Sequence, residues 1–195
     1  MKPDDIPEDM PEDIPEDMPE NISGDDSEET VQVPNLDPAF KYEVMRNEGA
    51  GGLKYCFACG ACTASCPIHE IDHGFDPRKL ARMVQLGMKD EVLSSPLIWY
   101  CSACRNCEQH CPQSVEFFNI LNVLKNMAAE KGYAPYAWVV QTRHLMRTGM
   151  VFRTDEAWET RRKALSLPPL QLDGEKVREL IELSGLDELI VKKRP

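Results

Sequence analysis

Eight cysteines are the residues best suited to chemistry in this 195-residue chain, and they form two runs with none left over. The first is Cys56-x2-Cys59-x2-Cys62-x3-Cys66-Pro67; the second is Cys101-x2-Cys104-x2-Cys107-x3-Cys111-Pro112. The spacing recurs after 45 residues, and Cys-Pro closes each run. Thiolates converging on a cube of iron and sulfide are the ligands of a [4Fe–4S] cluster, four to each, so these eight could serve two. Cysteines at i, i+3 and i+6 let one short wrapped loop present three sulfurs to one cube. The small residues Ala58, Gly60, Ala61, Ala64, Ser102 and Ala103 leave room for backbone N–H groups to approach sulfur. Pro67 and Pro112 stop the loops and fix the direction in which the chain leaves.

The run matches that of bacterial two-cluster ferredoxins, in which the fourth cysteine ligates the other cluster. By that residue the chain has already left the first loop. The expected ligand sets are therefore crossed. Cluster one takes Cys56, Cys59, Cys62 and Cys111; cluster two takes Cys101, Cys104, Cys107 and Cys66. Exchanging the last ligand forces both runs into one domain as a close pair. Zinc is an alternative, but a structural zinc site typically uses two separated cysteine pairs. That account leaves the evenly spaced third cysteine and the trailing Cys-Pro without a role. A disulfide framework would need an oxidising compartment. The N-terminal MKPDDIPEDM has neither the basic segment nor the apolar stretch of a secretory signal, so a reducing, cytoplasmic location is expected.

The formal net charge is −11 and unevenly spread. Residues 1–37 hold 14 of the 33 acidic residues against one base, Lys2, and carry −13. Residues 38–195 hold 21 bases and 19 acids, a balance of +2. A body so close to neutral is not expected to bind nucleic acid. No stretch approaches the roughly 18 uncharged apolar residues of a membrane span. From Ile6 to Asn21 the chain reads IPED-MPED-IPED-MPEN, with proline at every fourth position. That period forbids a continuous helix or a central strand, so residues 1–36 are expected to form an acidic, Pro-rich tail, disordered or extended. Two roles fit it: a solvated tail, or an arm on a basic partner groove with Ile6, Met10, Ile14 and Met18 as apolar anchors.

Helices must position the cysteines. Asp37-Pro38 reads as an N-cap and first helical residue, with a helix to about Glu48 before the glycine run 49–52. Asp76-Pro77 repeats the signal, and Leu80, Met83, Val84 and Met88 follow at helical spacing. A short helix is expected over Lys89–Leu93, and another from Ser95-Pro96 carries Trp99 and Tyr100 into the second run. Val115–Lys131, Pro135–Thr148, Asp155–Leu165 and Gly174–Leu183 also read as helices, and no period-two strand is evident. The expectation is an all-α fold, an alpha-helical ferredoxin domain with two [4Fe–4S] clusters over residues 37–170, with a C-terminal helical extension over 171–195. His69, His73 and His110 lie near the cysteines; they would tune the clusters or be exposed, but with eight thiolates available they are not expected to bind iron. Lys54 and Arg105 could offset cluster charge.

The paired runs, the linker Gly74-Phe75-Asp76-Pro77-Arg78-Lys79-Leu80, and Trp99-Tyr100-Cys101-Ser102-Ala103-Cys104 resemble the iron–sulfur C subunit of CoB–CoM heterodisulfide reductase over about residues 37–165. The first run, from Cys56-Phe57-Ala58-Cys59-Gly60 to Cys66-Pro67, is similar to that family's first run. The cysteine runs alone are shared with iron–sulfur proteins of fumarate reductase and glycerol-phosphate dehydrogenase; the linker points to the heterodisulfide reductase family. The acidic repeat has no place in that family's pattern. The resemblance implies an electron-relay subunit of an oxidoreductase complex in methanogenesis. A flavin-containing A subunit would bifurcate electrons from hydrogenase or formate dehydrogenase. A disulfide-reducing B subunit would receive them and reduce CoM-S-S-CoB. This chain has no adjacent Cys-Cys pair and no visible flavin motif, so it reads as a relay without a catalytic site of its own. A role in another dehydrogenase or quinone-linked complex, and a non-redox metal adaptor, are the alternatives.

Overall fold

The computed structural model describes residues 36–152, 155–170 and 173–191, and the expectations for the acidic tail fall outside them. The helices are α1 (Phe40–Met45), α2 (Ala61–Ala64), α3 (Pro67–Ile71), α4 (Pro77–Leu86), α5 (Lys89–Ser94), α6 (Asn106–Gln109), α7 (Phe117–Glu130), α8 (Tyr136–Thr148), α9 (Glu156–Ala164), α10 (Gly174–Ser184) and α11 (Leu186–Val191). Two 3-10 turns, Gly51–Tyr55 and Pro96–Tyr100, lead into Cys56 and Cys101. No strand occurs among the described residues, so the fold is all-helical.

Three aspartates cap helices, and Asp76 does so as the Asp76-Pro77 signal predicts. The Asp76 carboxylate accepts the Lys79 amide at 2.9 Å, with Pro77 as the first residue of α4. Asp155 accepts the Trp158 amide at 2.8 Å and Asp173 the Lys176 amide at 3.0 Å, starting α9 and α10.

Asp37 behaves differently. Its carboxylate accepts the Ala39 amide at 2.9 Å, closing a turn, and α1 begins only at Phe40. Its backbone N–H donates to the Gly87 carbonyl at 2.8 Å, and its carboxylate lies 3.5 Å from the Lys89 ammonium. Long-range partners therefore override the local cap signal. The helix stops at Met45 rather than Glu48, and the glycines coil into the 3-10 turn before Cys56. Met88 also leaves the expected helix, because Gly87 ends α4 at φ +85. A Cβ on Gly87 would lie 2.3 Å from the Asp37 carbonyl oxygen, so only glycine permits this crossing. The segment after Ser95 is a 3-10 turn rather than an α-helix.

One core unites α1, α4, α5, α7 and both 3-10 turns through Phe40, Val44, Leu53, Val84, Leu93 and Ile98, joined by Ile120, Leu121 and Leu124 from α7. Each such side chain contributes about 1.5–3 kcal/mol relative to exposure. Cys56, Cys66, Cys101, Cys107 and Cys111 pack against this core. A smaller core, Met146 and Ile181 with Val139, Leu145 and Val177, joins α8 to α10.

The chain before the first run crosses the chain after the second at Gly52, where an added Cβ would lie 2.7 Å from the Val115 carbonyl oxygen. The obstacle is backbone and cannot swing aside. Gly52→Ala should therefore destabilise the protein by about 1–3 kcal/mol. Denaturant unfolding of the iron-loaded protein checks this; an unchanged midpoint would contradict the close crossing.

Candidate metal centre

The two cysteine loops share one backbone design. Ala58 and Ala103, 45 residues apart, both have φ +58. Gly60 and Arg105, the next equivalent pair, have φ +89 and +61. The equivalent helices α2 and α6 follow, and the equivalent 3-10 turns precede. Left-handed backbone at Ala58, Ala103 and Arg105 costs roughly 1–3 kcal/mol per residue and persists where surrounding structure over-determines it. Left-handed Ala103 donates its N–H to Cys101 Sγ at 3.4 Å, and Val115, between left-handed Ser114 and Glu116, donates its N–H to Cys111 Sγ at 3.4 Å.

Cys56, Cys59, Cys62, Cys107 and Cys111 line one cavity, whose wall includes Arg78, Ala81, Val115 and Phe117. Cys111 thus meets the first loop across more than 45 residues of chain. Cys66, Cys101 and Cys104 do not line this cavity. Cys59 and Cys104, equivalent in the two loops, are the exposed cysteines; the others are half-buried. Among the described residues no three His, Cys, Asp or Glu side chains gather as a single-ion site. A cube binds thiolates at separate corners, wider apart than the shell around one zinc ion at about 2.3 Å allows. An apolar-walled cavity ringed by thiols and approached by backbone N–H groups suits the larger group.

Burial pushes the Cys62 thiol pKa up, and Cys56 and Cys59 push the same way against hydrogen bonds involving Thr63. Cys107 is pushed up to about 12, first by burial and then by the negative charge of Cys101, Glu108, Cys62 and Cys104. The influence of Cys62 on Cys107 places the third cysteines of the two runs near each other.

Several positioning side chains have no signal in the cysteine spacing. Thr63, buried in α2, donates to Asp76 Oδ1 at 2.6 Å and accepts the Arg78 amide at 3.0 Å, bracing the first loop on the start of α4. Burial raises the Asp76 carboxyl pKa, but the Thr63 and Lys79 hydrogen bonds and the charges of Arg78 and His69 outweigh it and hold the group below its usual range. Gln85 of α4 donates to the carbonyls of Leu53 at 3.3 Å and Cys56 at 3.0 Å. Asn106 donates to the Ser65 carbonyl at 3.4 Å, tying the second loop to the first.

The polar residues singled out by sequence sit as follows. His69 Nδ1 lies 3.0 Å from the Phe75 carbonyl, and its ring is 5.1 Å from that of the exposed His73. His110 is exposed at the end of α6. The Lys54 ammonium lies over Tyr55, 4.8 Å from the ring centre. Arg105 lies over Phe118 at 4.6 Å and pairs with Glu108 at 3.4 Å.

The raised thiol pKa values make a pH prediction. Below about 12, Cys107 in the metal-free chain is mostly protonated, so its reactive thiolate fraction grows as pH rises toward that value. Peptide-resolved alkylation of the metal-free protein should label exposed Cys59 and Cys104 first and Cys107 last, with the Cys107 rate still climbing above about pH 9, past the range of an ordinary thiol. A Cys107 rate that levels off at neutral pH would contradict the burial and charge crowding described.

Comparison with known proteins adds identity. Residues 52–115, which hold both loops and the linker, match the 4Fe-4S dicluster domain. The chain is 31% identical over 170 residues to the C subunit of the H(2):CoB-CoM heterodisulfide,ferredoxin reductase of Methanothermobacter thermautotrophicus, covering 84% of this chain and 91% of that protein. It is 35% identical over 154 residues to the second iron–sulfur C subunit of the CoB–CoM heterodisulfide reductase of Methanocaldococcus jannaschii, covering 75% and 82%. A Methanosarcina mazei relative, the C subunit of a ferredoxin:CoB-CoM heterodisulfide reductase, is 28% identical over 142 residues, 72% of this chain. Both cysteine loops lie inside the matched domain, and the chain thus belongs to the family of heterodisulfide reductase C subunits, iron–sulfur proteins that carry two [4Fe–4S] clusters.

Proposed function

We propose that this chain relays single electrons from a flavin-containing A subunit to a disulfide-reducing B subunit of a heterodisulfide reductase complex. Hydrogenase or formate dehydrogenase is the upstream donor. The acceptor class is a mixed disulfide of two thiol coenzymes, as the relatives' names specify for CoB and CoM. Reduction of such a bond consumes two electrons and two protons and releases two thiols, so the relay passes two electrons singly per turnover. The setting is the cytoplasm of a methanogen-like cell; among the described residues no helix is long and apolar enough to cross a membrane.

When bound, the clusters supply one-electron redox chemistry over a potential range the protein tunes through hydrogen bonds, burial and charge. The chain's part is to hold eight thiolates in crossed sets: Cys56, Cys59, Cys62 and Cys111 for one cluster, Cys101, Cys104, Cys107 and Cys66 for the other. The observation that carries this reading is Cys111 lining the same cavity as Cys56, Cys59 and Cys62, with Cys107 of the other set at the same cavity. Ala81, Val115 and Phe117 give that cavity an apolar wall, while exposed Cys59 and Cys104 bring each set to the surface where a partner's redox group can approach. The body proposed for this task is residues 37–170, with residues 1–36 as a tail and 171–195 as an extension.

Anaerobic purification with counts of iron and acid-labile sulfide tests the relay. About eight irons per chain, four for each cubane cluster, with flavin-containing and disulfide-reducing subunits co-purifying, is the expected result. Eight irons beside a membrane cytochrome would move the chain to a quinone-linked complex, and zinc without sulfide would end the electron-transfer reading. The crossing has its own test. Cys111→Ser should alter the paramagnetic signal that Cys59→Ser also alters. If Cys111→Ser and Cys104→Ser disturb the same signal instead, the ligands are not exchanged.

A further inference from the structure

Lys125 lies on α7, half-buried, in a cavity it lines with Trp99, Asn122, Trp138 and Val139. Its ammonium is 6.0 Å from the centre of the Trp99 ring, two residues before Cys101. Trp99 in turn packs on Trp138 at 5.9 Å between ring centres. Among other cations near the loops, Arg78 has Asp76 at 4.0 Å, Arg105 has Glu108 at 3.4 Å, and Lys89 has Asp37 and Glu43, while Lys54 is exposed over Tyr55. Lys125 has no ion pair among the described residues.

A half-buried ammonium without a counter-charge is unfavourable unless negative charge is supplied from elsewhere. Burial disfavours the charged form of Lys125 and prevails over the opposing pull of negative charge at Cys101. We infer that Lys125 is a positioning residue for charge, whose ammonium raises the reduction potential of the cluster taking Cys101, Cys104, Cys107 and Cys66 and leaves the other cluster's potential alone. Reduction adds an electron, so a nearby fixed cation favours the reduced state and lifts the potential. The effect is selective by position: Lys125 shares a cavity with Trp99, two residues before Cys101, and does not line the cavity of Cys56, Cys59, Cys62 and Cys111. Glu108 opposes Lys125 from the Cys107 side, but it is paired with Arg105.

This inference rests on the proposed ligand sets, and the test separates the two. Lys125→Met keeps the stem against Trp99 and removes the charge; Lys125→Arg keeps the charge. Redox titration of the iron-loaded proteins, followed by electron paramagnetic resonance, reads both midpoints. The expected result is eight irons in each variant, a negative shift of one midpoint in Lys125→Met, and its return in Lys125→Arg. The shifted signal should be the one that Cys104→Ser alters. Lys125→Gln makes the same comparison if the Met variant loses iron. Unmoved midpoints with eight irons, equal shifts of both, or a shift confined to the signal that Cys59→Ser alters would overturn the role of Lys125 alone. Fewer than two clusters in the unsubstituted protein would overturn the ligand sets and this inference together.

Discussion

Thiols that must ionise together resist being buried together, and that conflict organises this molecule. Cys62 and Cys107 bear it most, each raised first by burial and then by neighbouring sulfurs. Metal binding supplies the positive charge that makes the thiolates tolerable, so its free energy is coupled to folding. The polypeptide must still hold the loops near their bound shape. It does so with groups that carry no redox chemistry: the Thr63–Asp76 hydrogen bond, Gln85 on the Cys56 carbonyl, Asn106 on the Ser65 carbonyl. Each joins a cysteine loop to another element, so α4 and the two loops form one brace.

The legible part of this design is the part written in neighbouring residues. Cysteine spacing, Cys-Pro closure and the Asp76 cap act within a few positions, and their context states them directly. Asp37-Pro38 carries the same local signal as Asp76-Pro77, yet Gly87 and Lys89 hold Asp37 in a turn. No local rule distinguishes the two, because the difference comes from partners some fifty residues away. Gln85 and Asn106 are illegible for the same reason. Left-handed backbone is foreseeable at Gly60 but not at Ala58, Ala103 or Arg105, where residue type disfavours it and the loop imposes it. The pairing of α8 with α10 also follows from apolar faces that meet only once the chain has folded back.

The repeat after 45 residues makes the two loops alike in backbone, and their side chains make them unlike in environment. Phe57 faces solvent where the second loop has Ser102; Gly60 corresponds to Arg105, and Thr63 to Glu108. The Thr63 hydroxyl is engaged by Asp76, whereas Glu108 keeps one buried carboxylate oxygen without a hydrogen-bond partner. Two identical sites exchanging an electron would have no downhill direction. In the proposed relay, shared backbone secures two competent sites and divergent neighbours set their potentials apart. The chain can therefore change the direction and depth of the step by substituting around the cysteines, without disturbing the geometry that binds iron.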